Sequence, residues 1–145
     1  MKKLFITLFT LFLFGCNETY NWEFKHTSSE VQQISIINIE THLHNAEEIL
    51  NIPPIKTIEQ VNAEEFYDEI INLGMKKRFN MELPFQHGYC FIIDYGNNEY
   101  CILSYTGSGY IYYDEESKTM INETTDYIFD NEEFKKLLNK YLNIN

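Results

Sequence analysis

The fold is decided by residues 89–105, which read YCFIIDYGNNEYCILSY. Two runs rich in aromatic and β-branched residues flank the sequence GNN at residues 96–98, and this arrangement predicts a β-hairpin with a tight turn. A second turn at residues 106–109 leads into YIYY at residues 110–113. The three runs together predict a β-meander at the centre of the fold.

Further strands are predicted on both sides of the meander. Residues 33–41, QISIINIET, are dense in isoleucine, and apolar and polar residues alternate over residues 20–24. Both patterns are typical of strands. A last short strand is predicted at residues 119–122 or at residues 127–129.

Two amphipathic helices complete the predicted fold. Asn62 is the expected N-cap of a helix over residues 63–73, and Asp130 is the expected N-cap of a closing helix. In the closing helix, apolar residues recur with the spacing of a single stripe that packs on a sheet. The fold class is therefore α+β, with an antiparallel sheet of about five or six strands, a β-meander core and helices packed on one face.

The first sixteen residues, MKKLFITLFTLFLFGC, predict a bacterial lipoprotein signal peptide. Two lysines precede an apolar stretch that is too short to span a bilayer, which needs about 20 residues. Leu13-Phe14-Gly15-Cys16 resembles a lipobox, so we expect cleavage between Gly15 and Cys16 and acyl chains such as palmitate on Cys16. The alternative is an ordinary apolar helix in which Cys16 is incidental.

The expected domain organisation is a signal peptide at residues 1–15, a short tether at residues 16–19 and a single α+β domain at residues 20–145. Removing the signal peptide would leave nine basic and 22 acidic residues, a net charge of −13 with the histidines neutral. Such a domain would be repelled by nucleic acid, so no nucleic-acid partner is expected. The expected location is the extracytoplasmic side of the cell membrane or outer membrane, where acylated Cys16 would enter the lipid bilayer.

His42 and His44 are the candidate metal ligands. On a strand, an H-x-H pair directs both imidazoles to one side, where they could share a zinc ion. The spacing supplies no third ligand, and exposed histidines at a strand end are the alternative. No nucleophile elbow, zinc-protease, P-loop or dinucleotide-binding motif occurs in the sequence, so we expect no cofactor and no enzymatic activity.

Cys90 and Cys101 form a candidate disulfide, since an exported compartment would permit one. A turn at residues 96–97 would place the two cysteines diagonally on one face, about 7–8 Å apart. Disulfides usually require Cα atoms closer than about 6.8 Å, and a turn at residues 97–98 would separate the cysteines further. Two small buried thiols are the alternative.

Six tyrosines on the meander form a candidate binding surface. Strand alternation requires some of them to face away from the core, and exposed aromatic patches often bind peptides, sugars or proteins. The alternative is that they stabilise neighbouring strands, since tyrosine is a good strand residue. The six are Tyr95, Tyr100, Tyr105, Tyr110, Tyr112 and Tyr113.

The order of these features resembles a group of small bacterial lipoproteins to which no activity is assigned. The resemblance rests on the lipobox, WEF at residues 22–24, GNNEY at residues 96–100 and FDNEEF at residues 129–134. It implies the fold and the location without a mechanism. We therefore expect a lipid-anchored binding module with a protein or peptide partner in the envelope, or alternatively an envelope immunity or inhibitor protein that neutralises a toxin or hydrolase.

Overall fold

The computed structural model describes residues 24–40, 46–73, 75–77, 88–104, 106–125 and 127–143. The helices are α1 (Ala46–Leu50), α2 (Gln60–Asn72) and α3 (Asn131–Leu142), and a short 3-10 helix spans Ser28–Glu30. The strands are β1 (Gln33–Ile39), β2 (Lys56–Glu59), β3 (Met75–Lys77), β4 (Gly88–Gly96), β5 (Glu99–Ser104), β6 (Ser108–Asp114), β7 (Thr119–Thr125) and β8 (Tyr127–Phe129).

Six of the strands form one antiparallel sheet in the order β2-β1-β4-β5-β6-β7. The predicted meander is β4, β5 and β6, and it continues into β7. Strands β3 and β8 pair separately in a two-stranded sheet, so both of the alternative last strands exist. The α+β fold class predicted from the sequence is confirmed, whereas β3 was not predicted.

The two faces of the six-stranded sheet are covered differently. The helical face packs against α2 and α3 in one large core. The cleft face packs against Ile49 of the short helix α1 in a smaller core. The helical face presents Ile34, Ile36, Phe91, Ile93 and Leu103, and the cleft face presents Ile37, Ile39, Cys90, Ile92 and Ile102.

Aromatic rings join the helices to the helical face. The Phe91 ring on β4 stacks on Phe134 of α3, with 4.7 Å between the ring centroids. It also meets Phe66 of α2 edge-on, with a centroid distance of 5.0 Å. Since Phe91 touches both helices and is fully buried, it links the three elements of this core.

The two long helices begin differently. The prediction for α3 is confirmed, because Asp130 Oδ1 accepts a hydrogen bond from the Glu132 backbone N–H at 3.0 Å. The predicted N-cap of α2, Asn62, was wrong. This helix begins at Gln60, directly after β2, and its N-cap residue Glu59 makes no side-chain capping bond. The chain thus passes from strand to helix without a loop, which the capping pattern could not indicate.

The β4–β5 hairpin turns at Asn97 and Asn98, whose φ angles are 53° and 59°. Two residues with positive φ make a type I′ turn, which matches the twist of a hairpin. A bulge between Asp94 and Gly96 then shifts the pairing, so that Asp94 faces Tyr100. From Asp94 back to Cys90, each residue of β4 therefore pairs with the β5 residue one position earlier than in a hairpin without a bulge.

The register of the β4–β5 hairpin, set by the turn at residues 97–98 and the bulge, excludes the candidate disulfide. Cys101 pairs with Ile93 and lies on the helical face, whereas Cys90 pairs with Ser104 and lies on the cleft face. Both cysteines are buried and free. Burial raises the pKa of the Cys90 thiol to about 12 and also raises that of Cys101. The two thiols are therefore separate core groups.

The thiols can be counted in a Cys16→Ser variant, in which Cys90 and Cys101 are the remaining cysteines. We expect no reaction of the native protein with a thiol-reactive chromogen, because both thiols are buried and protonated. After unfolding without a reductant, two thiols should react. An unfolded protein with no reactive thiol would contradict the assignment of free cysteines.

Replacing Phe91 tests the core. We expect Phe91→Ala to lower the free energy of unfolding by about 3–5 kcal/mol, as large-to-small changes at buried aromatic positions do. Val61→Ala on α2 is the control, because this side chain is 79% exposed. Its effect should stay within about 0.5 kcal/mol in denaturant titrations. Equal losses in the two variants would show that Phe91 does not join the helices to the sheet.

Candidate functional site

A cleft of about 260 Å³ opens on the cleft face of the sheet. One wall is the segment that leaves α1 through Leu50 and Ile52. Pro53 and Pro54 follow, and a residue before proline avoids the helical conformation, so the helix ends here. The Ile55 N–H then donates to the Ile36 carbonyl at 2.8 Å, which ties the segment back to β1. The cleft lies between this segment and strands β1, β4 and β5.

The sheet side of the cleft has a polar end. Gln33 of β1 pairs with Asp94 of β4, which in turn pairs with Tyr100 of β5, so the three side chains form a row across adjacent strands. Directly opposite residues on a sheet have Cβ atoms about 5 Å apart. Ser35 lies in the next row beside Thr57, and both also line the cleft. This end can therefore offer several hydrogen-bonding groups to one ligand.

The remaining lining of the cleft is mainly aliphatic. Ile37 and Ile92 come from the sheet, and Leu50 and Ile52 come from the segment after α1. Apolar walls with a few convergent polar groups are the usual composition of a binding site.

The backbone of the bulge holds Asp94 in place. Its Oδ1 accepts a hydrogen bond from the Gly96 N–H at 2.7 Å. Gly96 has a φ of 82°, a conformation that glycine adopts without strain. Burial and the nearby charge of Asp94 raise the pKa of the Tyr100 phenol, which stays protonated at neutral pH and can donate a hydrogen bond.

A second cluster lies around His26, just before the 3-10 helix. Its ring stacks on Tyr95, with a centroid distance of 4.1 Å, and Nδ1 lies 3.3 Å from Glu30 Oε1. Nε2 approaches Glu99 Oε1 at 2.9 Å but off the N–H direction, so the contact is an ion pair when the ring is protonated. Burial lowers the pKa of His26, but the two carboxylates raise it by more. The cluster thus ties this part of the chain to β5.

Lys25 attaches the same segment to strands β6 and β7 at the edge of the six-stranded sheet. Its Nζ lies 2.8 Å from Glu123 Oε2 on β7 and 4.5 Å from the centre of the Tyr110 ring. Its backbone N–H donates to the Tyr110 hydroxyl at 3.1 Å. The side chains of Lys25 and His26 thus attach residues 25–26 to strands β5, β6 and β7.

The tyrosines do not form the single surface that the sequence suggested. Tyr95 and Tyr110 are buried in the core of the helical face, so their inclusion was wrong. Tyr112 is half-buried on the helical side, where its hydroxyl donates to Glu123. Tyr100 and Tyr113 are half-buried on the cleft face, and only Tyr100 lines the cleft. The alternation of side chains along each strand thus places the described tyrosines on both faces of the sheet.

Several of the predicted site residues lie outside the described part of the chain. They are Gly15, Cys16, His42, His44 and Tyr105. Within the described residues, no group of three or more His, Cys, Asp or Glu side chains could hold a metal ion.

Asp94 in the cleft and His26 in the second cluster were not predicted as site residues from the sequence. Asp94 is a carboxylate inside an otherwise apolar strand, and this interruption is a signal for a functional or buried polar group. His26 is followed four residues later by Glu30, within the capping-box pattern TSSE at residues 27–30. Both signals were available from the sequence.

A pH dependence of stability follows from His26. Its folded pKa is raised, so its stabilising contribution is fully present below the unfolded value of about 6.5 and is lost as the pH rises through the folded value. In denaturant titrations, we expect the wild type to lose stability relative to His26→Gln as the pH rises from about 6 through the raised folded pKa of His26. A difference between the two proteins that stays constant or grows with pH would contradict this contribution.

Comparison with known proteins gives no assignment, because no protein-family model, no curated protein and no solved structure matches the chain. Among the described residues, no helix has the length and apolar character that a bilayer span requires.

Proposed function

We propose that this chain is a lipid-anchored binding module that engages a protein or peptide partner at the extracytoplasmic side of a bacterial membrane. The observation that carries the proposal is the cleft, in which the polar row of Gln33, Asp94 and Tyr100 adjoins an aliphatic wall. Its volume of about 260 Å³ is below the range of about 300–1,000 Å³ typical of small-molecule pockets. A site of this size suits one side chain presented by a larger partner.

The lipobox supports the anchored location. The first described residues, Phe24 and Lys25, are attached to the folded body, since the Phe24 ring packs edge-on against Tyr67 at 5.4 Å and Lys25 pairs with Glu123. Seven residues separate Cys16 from Phe24. An extended chain of this length reaches at most about 30 Å, so an anchored domain would stay close to the bilayer. The resemblance to small bacterial lipoproteins supports the same location.

The acidic charge favours a second candidate function. A net charge of −13 after loss of the signal peptide would attract a basic partner and accelerate its association. An envelope immunity or inhibitor protein that neutralises a basic toxin or hydrolase would have this property. Recovery of a secreted hydrolase that loses activity on binding would favour this candidate over a general binding module.

Lipidation is tested first. In bacteria grown with an alkyne-labelled fatty acid, we expect the wild type to carry the label and to sediment with membranes. Cys16→Ser should lose both properties, because it removes the thiol that receives the lipid. Asn17→Ser changes the adjacent residue and serves as the control that keeps both. Label retained by Cys16→Ser would overturn the proposed anchor.

The binding role is tested by cross-linking the wild-type protein in intact membranes at physiological salt. A protein partner should be recovered in proportion to the amount of the anchored chain. Cross-linking that recovers no partner from the native host would overturn the proposed function.

A further inference from the structure

We propose that the cleft is a subsite for a lysine side chain of the partner, with the ammonium group at Asp94 and the alkyl stem along the aliphatic wall. This inference rests on the proposed function and names the chemistry that the site would recognise. Its first support is the charge of the residues that line the cleft. Among the described residues that line the cleft, Asp94 carries the one charged side chain, so a cation bound there would meet no positively charged lining group.

The geometry of Asp94 leaves a carboxylate oxygen for a ligand. Oδ1 is held by the Gly96 N–H, and Oδ2 has no hydrogen-bond partner among the described residues. The bulge therefore orients the carboxylate before any ligand arrives. Preorganisation of this kind lowers the entropic cost of binding.

An ammonium group has three N–H donors and needs further acceptors besides Asp94. Gln33 of β1 lies on one side of Asp94 in the polar row, where its side-chain amide can offer an oxygen, and Tyr100 of β5 lies on the other, where its hydroxyl can offer another. The Ser35 hydroxyl is in the next row of the same cleft. Since charge-assisted hydrogen bonds are the strong ones, a cation gains more here than a neutral donor does.

The apolar wall suits the stem of lysine. Lysine buries its four-carbon stem along apolar surface while its ammonium group stays hydrogen-bonded. Leu50 and Ile52, which are half-buried, and the exposed Pro54 supply such a surface across the cleft from the polar row. Arginine carries a planar fork that is best matched by paired acceptors, whereas lysine is a compact point charge that one carboxylate and its neutral neighbours can surround.

The test measures peptide binding to the detergent-solubilised full chain by backbone amide chemical shifts. The probe is the peptide Gly-Gly-Lys-Gly-Gly, capped at both ends, and the matched peptide has norleucine in place of lysine. We expect the lysine peptide to cause saturable shifts at Gln33, Asp94 and Tyr100. Equal affinity for the norleucine peptide, or no saturable shift with the lysine peptide, would overturn the assignment.

Two variants locate the charge that binds. Asp94→Asn retains an oxygen that can accept from the Gly96 N–H, and it should weaken binding of the lysine peptide about tenfold or more. Asp114→Asn removes the same charge from a turn in which Asp114 caps the Ser117 N–H at 2.9 Å, outside the cleft, and should leave binding unchanged. Equal losses in the two variants would mean that general charge, and not the cleft, attracts the peptide.

Two small probes test recognition of the ammonium group and its stem. n-Butylammonium carries the same cation and stem without a peptide, and butyrate reverses the charge. Butylammonium should also bind, because it carries both groups that the cleft contacts, and a failure of butylammonium to bind where the peptide binds would overturn the assignment to the ammonium group and its stem. Butyrate that binds as tightly as butylammonium would overturn recognition of charge. These assays are independent of lipid labelling and cross-linking, so the subsite and the proposed function can fail separately.

Discussion

The bulge between Asp94 and Gly96 is the constraint on which the rest of the structure depends. A regular hairpin closed by Asn97 and Asn98 would pair Asp94 with Cys101. With the bulge, Asp94 pairs with Tyr100 instead. Because side chains alternate along a strand, a shift of one residue in the pairing moves every side chain of the shifted strand to the opposite face of the sheet. The same backbone irregularity thus joins Asp94 to Tyr100 in the cleft and places the two buried cysteines in different cores.

The unequal covering of the sheet explains where a site can form. On the helical face, α2 and α3 bury a continuous aromatic core around Phe91. On the cleft face, the smaller core forms around Ile49 of the short helix α1, and the cleft lies between the segment that follows α1 and strands β1, β4 and β5. The larger core and the cleft therefore lie on opposite faces of the sheet, so changes in the cleft need not disturb the larger core.

Local signals in the sequence were sufficient for much of the fold. The apolar runs of the meander and the cap at Asp130 depend on neighbouring residues, and both are confirmed. Register was not predictable in this way, because the GNN sequence is compatible with more than one turn and the bulge adds a residue on one strand. The candidate site depends on register, since Gln33, Asp94 and Tyr100 come together only through strand pairing. For the same reason, the tyrosines were grouped by sequence and then divided by the sheet.

The attachment of residues 24–26 has a mechanical consequence. Under the proposed anchoring, any tension between the membrane and a bound partner would enter the domain at Phe24. Lys25 and His26 would then carry the load through side-chain contacts to Glu123 on β7 and Glu99 on β5, and not through the hydrogen bonds of the sheet. These contacts would release first under force, and the load would then pass to the start of β1, where the Gln32 N–H donates to the Asp94 carbonyl at 2.8 Å and Gln33 lines the cleft.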